Sequence, residues 1–140
     1  MILEDFMKKN LFAAAAALLL LNFLSCVTTS HNSRNSSDWA GIYTGVIPSA
    51  GGMGINVRIT LNTDETYKVE YQYIDKSDEI FTSTGKFSWK PDGNTIILDS
   101  EGEGGFPPYY KLGENTLTHL DFEGNIITGD LADHYILRKQ

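Results

Sequence analysis

The chain has 140 residues, with 11 Lys and Arg, 18 Asp and Glu and one Cys, for a formal net charge of -7. That is material for one domain at most, and its acidity excludes a nucleic-acid binder, which needs a basic surface to neutralise phosphates. One Cys closes no internal disulfide, and 41% hydrophobic with 21% charged residues fits neither a disordered nor a collagen-like chain.

The apolar residues are unevenly placed. Met7-Lys8-Lys9 stand before an apolar run from Leu11 to Leu21, and Ser25 precedes Cys26. Two positive charges, a short apolar run and a small residue have the layout of a secretory signal peptide, expected here over residues 1–25. The run is too short to span a bilayer, which takes roughly 20 apolar residues. Glu4 and Asp5 do not suit the basic head of such a leader, so translation is expected to start at Met7. Phe23-Leu24-Ser25-Cys26 resembles a bacterial lipobox, which implies that Cys26 becomes the first residue of the mature chain and carries acyl groups. More than one chain is needed for stable anchoring, each buried methylene contributing about 0.8 kcal/mol. Lipidation of Cys26, and through it attachment to a membrane, is the sharpest expectation from the sequence.

Val27 to Asp38 reads VTTSHNSRNSSD. A stretch so poor in apolar residues cannot bury a core, so residues 26–38 are expected to be the acylated Cys and a flexible tether with a reach of roughly 17–21 Å. His31 is then a solvated linker residue.

From Trp39 onward the hydrophobic period is two. Ile55-Asn-Val57-Arg-Ile59-Thr-Leu61 and Tyr67-Lys-Val69-Glu-Tyr71-Gln-Tyr73 alternate without error, the pattern of strands with one wet face. Turn residues separate the runs, at Asn62–Glu65, Pro91–Asn94, Gly113–Asn115 and Asp121–Asn125. The predicted strands are Trp39–Ile47, Ile55–Leu61, Thr66–Tyr73, Phe81–Trp89, Thr95–Leu98, Tyr109–Leu112, Thr116–Leu120 and Leu131–Arg138, with a short extra at Ile126-Ile127. Short strands on tight turns make an antiparallel meander, and closing eight of them removes the open edges. Residues 39–140 are therefore expected to form an all-β, small antiparallel meander β-barrel, lipocalin-like and soluble. Its strands are mostly shorter than the 9–11 residues, roughly, of a membrane-spanning barrel.

Two Gly-rich stretches, Ser49–Gly54 and Glu101–Gly105, interrupt the alternation. Neither has the spacing or the following helix of a phosphate-binding loop, so both read as rim loops, where ligand contacts are carried. Tyr73, Tyr109 and Tyr110 flank such loops and are the candidate ligand-binding residues, while most of the other aromatics should fill the barrel. Met53, His119 and His134 are scattered metal-ligand candidates, short of the consistent set that zinc or copper wants. No Cys nucleophile or nucleophile-elbow Ser is present, and Asp78-Glu79 and Glu101/Glu103 read as solvated turns. No enzyme activity is expected.

Several segments in order, Ile42–Pro48, Gly54–Leu61, Asp64–Tyr67, Gly85–Trp89, Tyr110–Leu117, Leu120–Ile126 and Gly129–Leu137, resemble the N-terminal domain of the NlpE family of copper-resistance lipoproteins. The likeness runs from Tyr43 to Lys139 and implies a lipocalin-type barrel on an envelope lipoprotein linked to copper tolerance, surface sensing and envelope-stress signalling. The sequence departs from the family at the Cys-x-x-Cys that follows the first-strand Pro, where Ser49-Ala50-Gly51-Gly52 stands. Two thiolates there suit copper(I) or zinc; Ser, Ala and Gly do not. The metal role is therefore not carried over, and no cofactor is expected beyond the covalent lipid. The second domain of longer family members is also expected to be missing, since the sequence stops at Gln140.

Three functions follow as expectations. One is a non-enzymatic envelope lipoprotein acting by sensing or surface contact with an envelope protein partner. The second is a carrier of a small apolar or amphiphilic ligand. The third is residual copper handling through His119 or His134. Val27 after Cys26 is not acidic, which by resemblance to proteobacterial lipoproteins favours the outer membrane.

Overall fold

The computed structural model describes residues 32–99 and 106–140. The predicted leader, Cys26 and the Glu101–Gly105 loop lie outside the described residues. Eight strands form: β1 (Gly41–Ile47), β2 (Ile55–Leu61), β3 (Thr66–Tyr73), β4 (Phe81–Trp89), β5 (Thr95–Leu98), β6 (Tyr109–Gly113), β7 (Thr116–His119) and β8 (Ile136–Lys139). Each pairs antiparallel with the next, and β8 returns to β1 through Tyr43↔Lys139 and Thr44↔Arg138, closing the barrel.

The period-two pattern sets which face is inside. In β2, Ile55, Val57, Ile59 and Leu61 are buried while Asn56 and Arg58 are exposed. Tyr43, Tyr67, Ile59, Leu61, Ile96, Leu117, Leu120 and Leu137 are the largest fully buried side chains, and each aliphatic one contributes about 1.5–3 kcal/mol by leaving water. Cross-strand pairs such as Arg58↔Glu70 put opposite charges side by side on the wet face, where Lys68 also reaches Glu70 at 2.7 Å.

An up-and-down barrel puts alternate connections at opposite ends, and here the two ends differ. At one end the turns are short and tied by their own side chains. Asp64 Oδ1 accepts from the Thr66 hydroxyl at 2.6 Å. Asp92 accepts from the Asn94 and Thr95 N–H groups at 3.0 and 2.9 Å and from the Thr95 hydroxyl at 2.6 Å. Asn115 takes the left-handed conformation (φ 54) in the β6–β7 turn, which Asn tolerates better than most residues. The other end carries the four long connections, 48–54, 74–80, 99–108 and 120–135.

Differences from the sequence reading fall at the strand ends. The first strand starts at Gly41, because Trp39 belongs to a 3-10 turn, Ser37–Trp39, whose Asp38 N–H is capped by Ser36 Oγ. The last strand starts at Ile136, because Ala132–Tyr135 form another 3-10 turn. The strand expected to reach Leu120 ends at His119, and Leu120 forms an isolated bridge with Ile126, which is the short extra pairing expected near Ile126-Ile127.

The segment expected to be a free tether to Asp38 is partly docked. Ser33 N–H donates to Asn94 Oδ1 at 2.7 Å and Arg34 N–H to Gly93 C=O at 3.0 Å. Behind them Trp39 plugs the short-turn end, meeting Phe87 and Trp89 edge-on at 5.6 and 5.3 Å, while the Tyr43 hydroxyl donates to Trp39 C=O at 2.6 Å. Composition alone hid this, because the contacts are backbone hydrogen bonds that polar residues can make. Trp39→Ala should cost about 2–4 kcal/mol of unfolding free energy by opening this end, read by urea denaturation. An unchanged midpoint would mean that Trp39 does not seal the barrel.

Candidate functional site

Inside the long-connection end the alternation that fills the barrel places Tyr71, Tyr110 and His119 inward. Phe106, from the connection before β6, meets Tyr71 at 5.1 Å and His119 at 6.0 Å between ring centroids, and Tyr135 approaches His119 from the last connection at 6.4 Å. His119 is 2% exposed. The space enclosed by Val69, Tyr71, Leu98, Phe106–Pro108 and Tyr110 is about 20 Å³, room for a water rather than for an organic ligand.

Tyr110 Oη and His119 Nε2 share a hydrogen bond of 2.9 Å. Burial holds His119 down at about 4, with a Leu120 backbone hydrogen bond acting the other way. Burial, then the neighbouring Tyr67 phenol, push Tyr110 well above its ordinary value. Both are therefore neutral at pH 7, and an imidazole with its proton on Nδ1 accepts the phenol proton at Nε2. The pair satisfies two buried polar groups with each other.

The three ligand candidates are not brought together. Tyr110 is buried, not at the rim, because it follows Tyr109 in β6 and points to the opposite face. Tyr109 is half-buried on the outer wall under the Lys90 ammonium, 5.2 Å from its ring. Tyr73 sits at the end of β3 against Tyr71 and Phe81, with centroids at 6.1 and 6.2 Å. The metal candidates are equally dispersed in environment: His119 is buried in the tyrosine pair, His134 is exposed, and Met53 is 73% exposed. Among the described residues no group of three or more His, Cys, Asp or Glu could hold a metal ion.

The Ser49–Gly52 turn keeps an informative shape. A Cβ built on Gly52 would lie 2.8 Å from Ser49 Oγ, and that Oγ is shielded from solvent with no hydrogen-bond partner. The two positions face each other as a thiol pair would, without thiols. A Ser49→Cys/Gly52→Cys variant should close a disulfide on oxidation, read as loss of free thiol; thiols that both remain reactive would show that the turn opens.

The larger spaces lie outside the wall and were not foreseen from the sequence. A groove of about 470 Å³ crosses β1, β2 and β3 beneath Ile80, lined by Thr44, Val46, Asn56, Arg58, Glu70 and Gln72 among others. A second space of about 450 Å³ shares Asn56 and Gln72 with it and continues to Asp75–Asp78. The available signal was Val46, an apolar residue at an outward position of β1 and 45% exposed.

The His119 pair generates a pH dependence. A base whose folded pKa lies below its unfolded value contributes fully above pH 6.5, and that contribution is lost as pH falls through about 4. The loss amounts to about 3 kcal/mol. Asp64 and Asp121, held below 3.8 chiefly by the Thr66 hydroxyl and the Asn125 N–H respectively, act only at lower pH. Unfolding free energy should therefore fall between pH 6.5 and 4, and His119→Gln should flatten that slope; a slope that survives the substitution would assign it elsewhere.

The NlpE N-terminal domain family matches residues 43–130. Lipoprotein NlpE of Escherichia coli (strain K12) is 27% identical over 128 residues, 86% of this chain and 53% of its own length. A crystal structure of a Shewanella oneidensis lipoprotein superposes with a TM-score of 0.69 at 44% identity, covering 79% of this chain and 96% of that one. The crystal structure of the Cpx pathway activator NlpE from Escherichia coli gives a TM-score of 0.51 at 28% identity, over 64% of this chain and 46% of that one. The chain thus spans about half the length of the Escherichia coli relative. With most of the barrel inside the matched span, the chain belongs to the NlpE N-terminal domain family.

Proposed function

We propose that this chain is a lipoprotein of the bacterial cell envelope, anchored by acyl groups on Cys26, whose barrel acts by surface contact in envelope sensing or stress signalling and catalyses no reaction. The observation that carries the reading is the joining of a lipobox-like Cys26 to a family barrel in which the space among Val69, Tyr71, Leu98 and Tyr110 is about 20 Å³, while spaces of several hundred Å³ lie on its outer wall. A filled barrel offers its outside. The Escherichia coli relative is described as a Cpx pathway activator, which supports a signalling role over a carrier role for the same scaffold.

The segment leading back to Cys26 joins the barrel at the short-turn end, where Ser33 and Arg34 bond the Gly93–Asn94 turn. The long connections lie at the opposite end of the barrel and are the contact elements of this reading. Val27 after the anchor favours the outer membrane over the inner. Copper is not assigned to this chain, because the Ser49–Gly52 turn offers no soft ligand.

Cys26→Ser should move the protein out of the membrane fraction and abolish labelling by a radiolabelled fatty acid. It should also remove any envelope-stress reporter response that overexpression of the wild-type chain evokes. Retention in the membrane with undiminished labelling would overturn the anchor, and a reporter silent to the wild-type chain would overturn the signalling role.

A further inference from the structure

The two ends of the barrel differ in chemistry as well as in loop length. Every large hydrophobic residue exposed among the described residues belongs to the long connections or to a strand residue bordering one: Val46, Met53, Ile80, Phe81, Phe122, Ile126 and Leu131. Charge follows the same division. The described residues of the four long connections hold eight carboxylates against the single cation Lys76. The rest of the described chain holds six carboxylates against eight Lys and Arg. The ion pairs among the described residues, Arg58–Glu70 and Lys68–Glu70, lie on the wall and leave those loop carboxylates unneutralised.

These features meet at the outer groove. Val46 and Ile80 form its apolar lips, Thr44, Asn56 and Gln72 supply hydrogen-bonding groups along its floor, and the Arg58 cation there is paired with Glu70. Its continuation is bordered by Asp75, Lys76 and Asp78, and with Glu79 next to Ile80 in the same connection the carboxylates outnumber the cation three to one. Gly54 keeps the first connection close to this surface: a Cβ there would lie 2.7 Å from Val46 Cγ1 and 3.8 Å from Ile74 Cδ1. An open groove of about 470 Å³ with apolar lips has the volume to seat a large side chain or two of a partner.

We propose that this groove is the docking site for a basic, amphipathic segment of a protein partner. An apolar side chain of the partner enters between Val46 and Ile80, and its Lys or Arg residues face Asp75, Asp78 and Glu79. The charge selects this occupant. A second copy would bring the same carboxylates against themselves, and an anionic lipid surface is repelled by them. A cationic partner gains attraction in both encounter and hold. The proposal deepens the contact role put forward above and rests on it, by giving the contact a location and the partner a chemistry.

The test uses the full chain in phosphatidylcholine nanodiscs. The probes are a synthetic amphipathic helix of Leu and Lys and its Leu and Glu counterpart. The Lys peptide should bind, weaken with added salt, and lose roughly tenfold in affinity or more with Asp75→Lys/Asp78→Lys and again with Ile80→Ser. All three positions are exposed, so folding is checked by an unchanged unfolding midpoint. Glu65→Lys/Glu114→Lys, at the opposite end, should change the affinity by less than about twofold. Four results would overturn the proposal: no binding of the Lys peptide, equal binding of the Glu peptide, equal loss from the two charge-reversed pairs, or indifference to Ile80→Ser. A dimer in sedimentation that Ile80→Ser dissolves, or binding to phosphatidylglycerol vesicles that it abolishes, would replace the partner with a second copy or a lipid surface. The contact role fails separately, through the Cys26→Ser fractionation and the stress reporter.

Discussion

Closure of the sheet between β1 and β8 is the constraint on which the rest of the structure depends. The pairs Tyr43↔Lys139 and Thr44↔Arg138 make that seam, continued by Gln140 N–H donating to Ile42 C=O at 2.9 Å, and it holds because the side chains allow the strands to approach. Gly45 is the clearest case: a Cβ there would lie 2.8 Å from Leu137 Cδ2, so the absence of a side chain lets Leu137 lie across the seam, fully buried. An open eight-strand meander would expose two hydrogen-bonding edges. Once closed, the circumference is fixed by strand number, and the inward half of every strand must fill a narrow tube. Tyr43, Tyr67 and Tyr110 do so with large rings.

Filling the tube decides where function can reside. Polar groups caught inside must satisfy each other, as Tyr110 and His119 do at 2.9 Å. The result is a scaffold with a sealed end, built from Trp39 and three short turns, and an end with long connections that carry the exposed apolar residues and unneutralised carboxylates. Ser33 and Arg34 bond the Gly93–Asn94 turn at the sealed end.

Much of this was legible from residue order. Ile55–Leu61 and Thr66–Tyr73 alternate so strictly that both strands fall at the expected bounds, and the turn residues fix the hairpins. The ends blurred where the pattern weakens. Trp39 reads as the start of a strand because it is large and apolar, yet it serves as a plug from a 3-10 turn. His134-Tyr135 read as strand because Tyr135 is apolar and precedes Ile136, but a turn brings that ring to His119.

The site was less legible because orientation is a three-dimensional property. Tyr109 and Tyr110 are adjacent in sequence and look equivalent as rim residues, but the pleat sends one to the wall and the other to the core. The outer groove assembles from single residues of three strands and one connection, none of which forms a local motif. In the function proposed above, the barrel is a filled scaffold working from its outside. Native mass spectrometry with elemental analysis, on protein taken from its own membrane, tests it most directly. The expected mass is that of the acylated chain alone; a stoichiometric small molecule or metal ion retained with the barrel would overturn a filled scaffold.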